Sequence, residues 1–400
     1  MENKTSRLLL FLVRHNNDFE RVAALADILN ESHHLVIIDI SEPHHIKNNN
    51  STLIQLVKNA GIRLLEISDL FPVLGLALRF QGLPLKWFMR IFRTASVVNS
   101  LLHPRIGKTI LNKFKPDLLL MDYVQQNNPF NFLKEIHASA VENNIPIVGF
   151  QSGIGSVLPK VSHPNEDTRR SSEKMLHYDY LTAPNEIELA QQILPNVGST
   201  YREALVLGDP RYSPVFLKKL QLPSSDRRSY VVLGGNFTHM GLDFSQQDEI
   251  TLRIVDKLNA LSNNLSINVK FHPRVPRSPI REKIASRRNV EIAQSTVNSS
   301  ELLNSCVALI TPPTSIIFEA ALLGINVVLI DPFDNDIIRT YDDIGFKTLA
   351  LKEIEQLSEA LINQPTNYNM RALQRIACGG HEGDCRRLYA ELINRILSPT

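Results

Sequence analysis

Three short stretches in the second half of the sequence join the end of an apolar run to residues suited to holding a phosphate. Lys270-Phe271-His272-Pro273-Arg274 closes the run 267–271. A histidine there can donate a hydrogen bond to a phosphate oxygen or pass a proton to a departing phosphate. Pro273 stiffens the turn that aims it. Thr311-Pro312-Pro313-Thr314-Ser315 closes the run 307–311 and leads into a helical pattern. Thr314 or Ser315 would cap that helix, whose first backbone N–H groups, with two hydroxyls, make an anion site. Glu319 falls one turn beyond Ser315 on a similar face, where a carboxylate can accept from ribose hydroxyls. Gly234-Gly235-Asn236 follows the run 230–233, and paired glycines let a ligand approach the backbone closely. The spacing is neither GxGxxG nor a P-loop. Each stretch alone also reads structurally, as a loop histidine, a capped helix with a solvated Glu319, and a plain turn.

The elements that must position these residues are short β-rich runs alternating with amphipathic stretches. The first half places strands at 8–13, 35–39, 63–67, 118–122, 145–150, 178–182 and 204–207. The second places them at 230–233, 267–271, 290–292, 307–311, 327–330 and 347–351. Between the first two strands, Phe19, Val22, Ala23, Leu25, Ala26 and Leu29 recur at helical spacing. Alternating strands and helices imply βαβ units and mainly parallel sheets, and continuous apolar runs imply strands covered on both faces. Thirteen strands exceed one ordinary open sheet. The Pro-rich, polar segment 209–228 is the boundary, giving domains at 1–208 and 228–375 and a final helical stretch at 376–400. All three chemical stretches then sit at carboxyl ends of strands in the second domain, where open α/β sheets bind ligands.

His272-Pro273, followed by Thr314-Ser315 at a strand–helix turn, resembles the His-Pro and Ser/Thr-Ser motifs of bacterial sialyl- and polysialyltransferases. Kdo transferases of capsule synthesis and CDP-glycerol glycerophosphotransferases look similar. The resemblance covers the second half of the chain. It implies an α/β, GT-B-like fold: two Rossmann-like domains with mainly parallel sheets facing an interdomain cleft. It implies that His272 contacts or protonates the donor phosphate, that Thr314 and Ser315 bind it, and that Glu319 meets the ribose. Gly234, Gly235, Asn236 and Pro273 complete the donor-binding set. The acidic motif ending in glycine that supplies the sialyltransferase base is not recognisable in the first half.

The first half would supply the acceptor side and the base. His15, in Arg14-His15-Asn16-Asn17-Asp18 after the first strand, stands where several GT-B enzymes place a histidine base, and Asp122 ends the strand 118–122. Gln151-Ser152-Gly153-Ile154-Gly155-Ser156 forms a third loop. The alternatives are a polar loop for His15, a helix cap for Asp18 and a strand-end turn for Asp122.

The expected activity is therefore transfer of a sugar, or glycerophosphate, from a CMP- or CDP-activated donor to a saccharide or lipid-linked acceptor in bacterial surface polysaccharide assembly. One alternative is a UDP-N-acetylglucosamine 2-epimerase-like isomerase, which shares the plan and a His-Pro element. Its usual Asp-Ser-Gly-Gly turn is replaced here by Thr311-Pro312-Pro313-Thr314-Ser315. The other is a non-catalytic GT-B-like subunit. No metal or other cofactor is expected. There is no Asp-x-Asp sequence, and Cys378, His381 and Cys385 offer only three local ligands.

Composition sets the remaining bounds. Lys and Arg number 43 against 41 Asp and Glu, which gives no electrostatic reason to expect a nucleic-acid partner. Three cysteines make no disulfide framework and point to a reducing, cytoplasmic setting. The balanced charge conceals one local imbalance, since no acidic residue lies between Asp69 and Asp117. Within 71–108, Phe80, Trp87, Phe88 and Phe92 interleave with Arg79, Lys86, Arg90, Arg93, Arg105 and Lys108. Such a segment suits a peripheral contact with anionic lipid on the inner face of the plasma membrane. The same residues also read as two core helices with a basic edge. No apolar run is long enough to span a bilayer.

Overall fold

The computed structural model of the chain describes residues 6–398, save 15, 42–44, 125–130, 151–174, 196–200, 221–227, 236–241, 262–264, 273–277, 295–296, 333–342, 363–366, 382 and, within 74–105, all but 76, 87, 90, 91, 93 and 94. Two parallel sheets organise them. The first contains β1 (Leu8–Val13), β2 (His34–Asp39), β3 (Arg63–Glu66), β4 (Leu118–Asp122), β5 (Ile147–Phe150), β6 (Tyr180–Ala183) and β7 (Glu203–Val206), in the order β3-β2-β1-β4-β5-β6-β7. The second contains β8 (Ser229–Leu233), β9 (Ser266–Lys270), β10 (Val290–Ile292), β11 (Cys306–Thr311), β12 (Asn326–Asp331) and β13 (Lys347–Ala350), in the order β10-β9-β8-β11-β12-β13.

Every pair of described strands is parallel, which requires crossover connections, and among the described residues helices such as Asn16–Leu29 after β1 and Phe244–Leu261 after β8 supply them. The central strands are apolar and buried along nearly their whole length, as strands covered on both faces must be. Leu9 through Val13 and Leu118 through Leu120 expose at most 1% of their surface. The helix Asn16–Leu29 follows β1 and buries Phe19, Val22, Ala23, Leu25, Ala26 and Leu29, the residues its spacing singles out. Strand ends shift for local reasons. The run 145–150 pairs only from Ile147, because Pro146 has no N–H to give the ladder, although its carbonyl accepts from Leu119 N. The run 63–67 stops at Glu66, where Ile67 opens a four-residue helix and Asp69 accepts from the Glu66 N–H at 3.3 Å.

The chain divides into two compact units. Described residues of the first lie in Met1–Gly153, Thr168–Ser213 and His381–Thr400. Those of the second run from Pro214 to Gly380. The closing helix Arg386–Leu397 thus belongs to the first unit, where it packs on the helix Asn16–Leu29. Tyr389 donates to the Gly208 carbonyl at 2.9 Å, and Arg386 pairs with Asp27 at 2.8 Å and with Asp384 at 2.6 Å.

Candidate functional site

In each sheet the strand order reverses between two neighbours, and that switch point is where a doubly wound fold leaves a crevice at its strand ends. In the first sheet the neighbours are β1 and β4; in the second, β8 and β11.

At the first switch point β1 ends before Arg14 and β4 ends on Asp122. The Arg14 guanidinium forms an ion pair with the Asp122 carboxylate, and the Arg14 backbone N–H donates to Asp18 Oδ2 at 3.0 Å. Asp122 is also held by the Tyr123 N–H, which donates to its Oδ1 at 2.8 Å. Behind it stand two buried tyrosines, edge to face with ring centroids 5.1 Å apart. Tyr178 donates to the Asp122 carbonyl at 3.0 Å and accepts from Val124 N at 2.9 Å. The Tyr123 hydroxyl accepts from Thr182 N at 3.1 Å and lies 3.2 Å from the Gly149 carbonyl oxygen. Gly149 is required by this pair, because a Cβ there would lie 2.5 Å from the Tyr123 ring and 2.9 Å from Tyr178.

Burial dominates the electrostatics here. Asp18, fully buried, has its pKa pushed up to about 7, first by loss of water and then by the neighbouring Asp122 charge, with Arg14 pulling the other way. For Arg14, burial works against the charge, but Asp122 and Asp18 more than offset it and hold the pKa above its ordinary value. Burial likewise raises both tyrosines, which stay neutral donors and acceptors.

At the second switch point Gly234 and Gly235 leave β8, half-buried. Gly234 N donates to the Lys270 carbonyl at 2.9 Å, which fixes it beside the chain entering Phe271 and His272. A Cβ on Gly234 would meet nothing nearer than the Phe271 ring at 3.5 Å, an ordinary contact, so packing within the described protein does not demand glycine there. His272 is half-buried, next to buried Phe271. Thr314 and Ser315, both half-buried, precede the helix Ile316–Leu322, and Ser315 makes no capping hydrogen bond through its side chain. Glu319 is 5% exposed and accepts from Ser300 Oγ at 2.9 Å, so its carboxylate faces the helix Ser299–Leu302 and not solvent. Lys270 Nζ reaches Ser299 Oγ at 3.2 Å and the Val297 carbonyl. The β9 end and the helix after β11 are therefore tied through one segment, 297–302.

Of the residues expected from sequence, Asp122, Gly234, Gly235, His272, Thr314, Ser315 and Glu319 stand at these two strand-end regions, each within its own unit. His15, Asn236, Pro273 and the loop 151–156 lie outside the described residues, as does most of 71–108. The structure adds Arg14, Asp18, Tyr123 and Tyr178 to the first region. Nothing in the local spacing marks a buried charge. The one available signal was the position of Arg14 and Asp18, directly after β1.

No protein-family model matches the chain, and the curated proteins hold no match. Solved structures do resemble it. The UDP-GlcNAc 2-epimerase of Methanocaldococcus jannaschii, in complex with UDP-GlcNAc and UDP, superposes with a TM-score of 0.62 at 13% identity, over 97% of this chain and 99% of its own. The UDP-GlcNAc 2-epimerase of Neisseria meningitidis, bound to UDP-GlcNAc, gives 0.58 at 15%, over 98% and 100%. The calicheamicin glycosyltransferase CalG4 gives 0.52 at 14%, over 98% of each chain. Such identities speak to fold alone, and the fold is GT-B-like, with two Rossmann-like units and parallel sheets.

Proposed function

We propose that the chain is a UDP-sugar enzyme, and that it inverts a carbon of the bound sugar as a UDP-N-acetylglucosamine 2-epimerase-like isomerase. The observation that carries this reading is Asp122, held by Arg14 at the switch point of a fold whose solved counterparts include enzymes bound to UDP-GlcNAc. Inversion at a C–H centre requires a group that takes the proton and one that returns it, and a positioned carboxylate serves either role. The nucleotide would sit at the second switch point. There the Gly234-Gly235 backbone and the Thr314 and Ser315 hydroxyls would receive its phosphates, and His272 would donate to them. Glu319 would contribute by fixing the helix that carries Ser315.

Transfer of a CMP- or CDP-activated sugar or polyol to an acceptor is the second reading. It is favoured by His272-Pro273 followed by Thr314-Ser315. A thermal-shift panel with UDP, UDP-GlcNAc, CMP, CDP and GDP separates the two. A ligand at 100 times its Kd stabilises the native state by about 2.7 kcal/mol, and the isomerase reading expects that response from the uridine compounds alone. Incubation with UDP-GlcNAc in D2O then decides the chemistry. Inversion breaks and remakes a C–H bond and leaves solvent deuterium in the sugar, whereas transfer leaves the sugar's C–H bonds intact. A shift with cytidine nucleotides and no deuterium uptake would overturn the first reading.

The segment 71–108 extends this reading toward a lipid surface. Among its described residues, Trp87 is 62% and Leu76 57% exposed, Arg90 and Arg93 are exposed, and Ile91 packs against the core of the first unit. An exposed Trp beside arginines, in a stretch free of acids from 70 to 116, is complementary to an anionic bilayer. Among the described residues no helix is long and apolar enough to cross a membrane. Co-sedimentation with phosphatidylglycerol vesicles, weakened by Trp87→Ser and absent with phosphatidylcholine, is the expected result.

A further inference from the structure

Within the second unit, Asp248 on the helix Phe244–Leu261 is 2% exposed, and one of its oxygens is held from two directions. Arg281 Nε donates to Oδ2 at 3.0 Å, and Ser278 Oγ donates to the same oxygen at 2.6 Å. Ser278 Oγ also accepts from the Ile280 N–H at 3.2 Å, at the entry to the helix Ile280–Ala285. The Arg281 guanidinium lies over the Phe271 ring, its central carbon 4.0 Å from the ring centroid. Phe271 directly precedes His272, and its ring is also what a Cβ on Gly234 would meet first, at 3.5 Å. One aromatic ring thus joins a fixed cation to two of the groups assigned to the nucleotide phosphates.

We propose that Arg281 is a positioning residue for the phosphate site: locked by Asp248 and stacked on Phe271, it sets the end of β9 from which His272 projects and beside which Gly234 lies. This deepens the reading above and rests on the nucleotide lying at the second switch point. A buried ion pair adds little net stability over apolar packing, whereas a charge-assisted hydrogen bond does fix the direction of a guanidinium. Here that direction places the planar cation on the Phe271 face, a contact that holds the ring. The same carboxylate oxygen holds Ser278. The chain before His272 and the chain at Ser278 are therefore both referred to Asp248, one through the stack and one directly. A group that must meet a phosphate within a few tenths of an ångström needs such support behind it.

Histidine-ring NMR of the full-length protein, with carbon-13 placed only in histidine, reads His272 without any ligand. Its resonance is the one lost in His272→Gln. Arg281→Lys keeps a charged partner for Asp248 but cannot reproduce a planar stack. It should displace the His272 resonance and weaken UDP binding, measured by calorimetry, by about 5- to 30-fold, the range set by a partly desolvated cation–π contact. Phe271→Leu removes the aromatic face, keeps an apolar side chain and should do the same. The double variant should lose no more than either single one, because both remove one contact. If Arg281 served only as the ion-pair partner of Asp248, Arg281→Lys would leave the His272 resonance and the UDP affinity unchanged. That result overturns the proposal, and so do additive losses in the double variant. Should Phe271→Leu fail to fold, Arg281→Lys decides alone. A wild-type protein that binds no UDP, while Arg281→Lys still displaces His272, would count against the nucleotide reading and not against the positioning of His272.

Discussion

Asp122 and His272 make separable demands on the proposed reaction. Asp122→Asn should cut turnover by about 10²–10⁴-fold, the usual contribution of a general acid or base, and leave the thermal shift with UDP intact. His272→Ala should diminish that shift itself, and an unchanged shift would remove His272 from the nucleotide site. The buried carboxylates also set the pH dependence of stability. Asp18 and Asp39 have folded pKa values near 7 and 6, above their unfolded values, so the native state holds the extra protons between about pH 4 and 7. Their stabilisation is complete below the unfolded values and is lost as pH rises through 6 and 7. Thermal melts of wild type should fall over that interval, and Asp18→Asn should fall less. His272 and Asp122 were legible in the sequence because each follows an apolar run. Asp18 read as a helix cap, and its bond with the Arg14 N–H is local; what the sequence did not show is the pairing of β4 with β1, which brings Asp122 to the Arg14 guanidinium.

The alternation of strand and helix was legible because each strand is a continuous apolar run. Its ends were less so, because Pro146 and the Glu66–Asp69 cap act through single hydrogen bonds. Helix-to-helix approach was not legible at all. Gly107, on the helix Ile106–Phe114, has Glu135 of the helix Asn131–Glu142 so close that a Cβ would lie 2.2 Å from its carbonyl oxygen. Backbone cannot yield as a side-chain tip can. Gly107→Ala should therefore destabilise by about 1–3 kcal/mol or more, as overpacking does, measurable by urea unfolding. The helix Asn16–Leu29 shows the limit of pattern reading most plainly. Its apolar residues matched their spacing, yet Asp18 and Arg21 on the remaining surface are buried too. Arg21→Ala would leave buried Asp209 with Arg211 alone, at 3.4 Å, and should cost more than the roughly 0–1 kcal/mol of an exposed pair but less than the about 3–5 kcal/mol of a buried charge left wholly unpaired.

The last twenty residues complete the first unit and not the second. Tyr389, Leu392 and Ile393 are 4%, 3% and 0% exposed. At about 1.5–3 kcal/mol for each buried apolar side chain, their loss is comparable with the ~5–15 kcal/mol that separates a domain from its unfolded state. Truncation after Gly380 should therefore abolish the calorimetric transition of the first unit and spare that of the second. The returning chain is secured at several points. His381 Nε2 lies 3.0 Å from the Val206 carbonyl oxygen, Cys385 Sγ donates to the Asp209 carbonyl at 3.6 Å, and Asp384 accepts from Ser213 Oγ at 2.7 Å. That return has a consequence for biosynthesis. Most of the first unit leaves the ribosome before Pro214, yet its closing helix is made last, roughly 190 residues later. At about 5–20 residues per second, the nascent first unit waits roughly 10–40 s for its final piece. The second unit, to Gly380, is itself synthesised in that interval, so the half begun first is the last to have its whole chain.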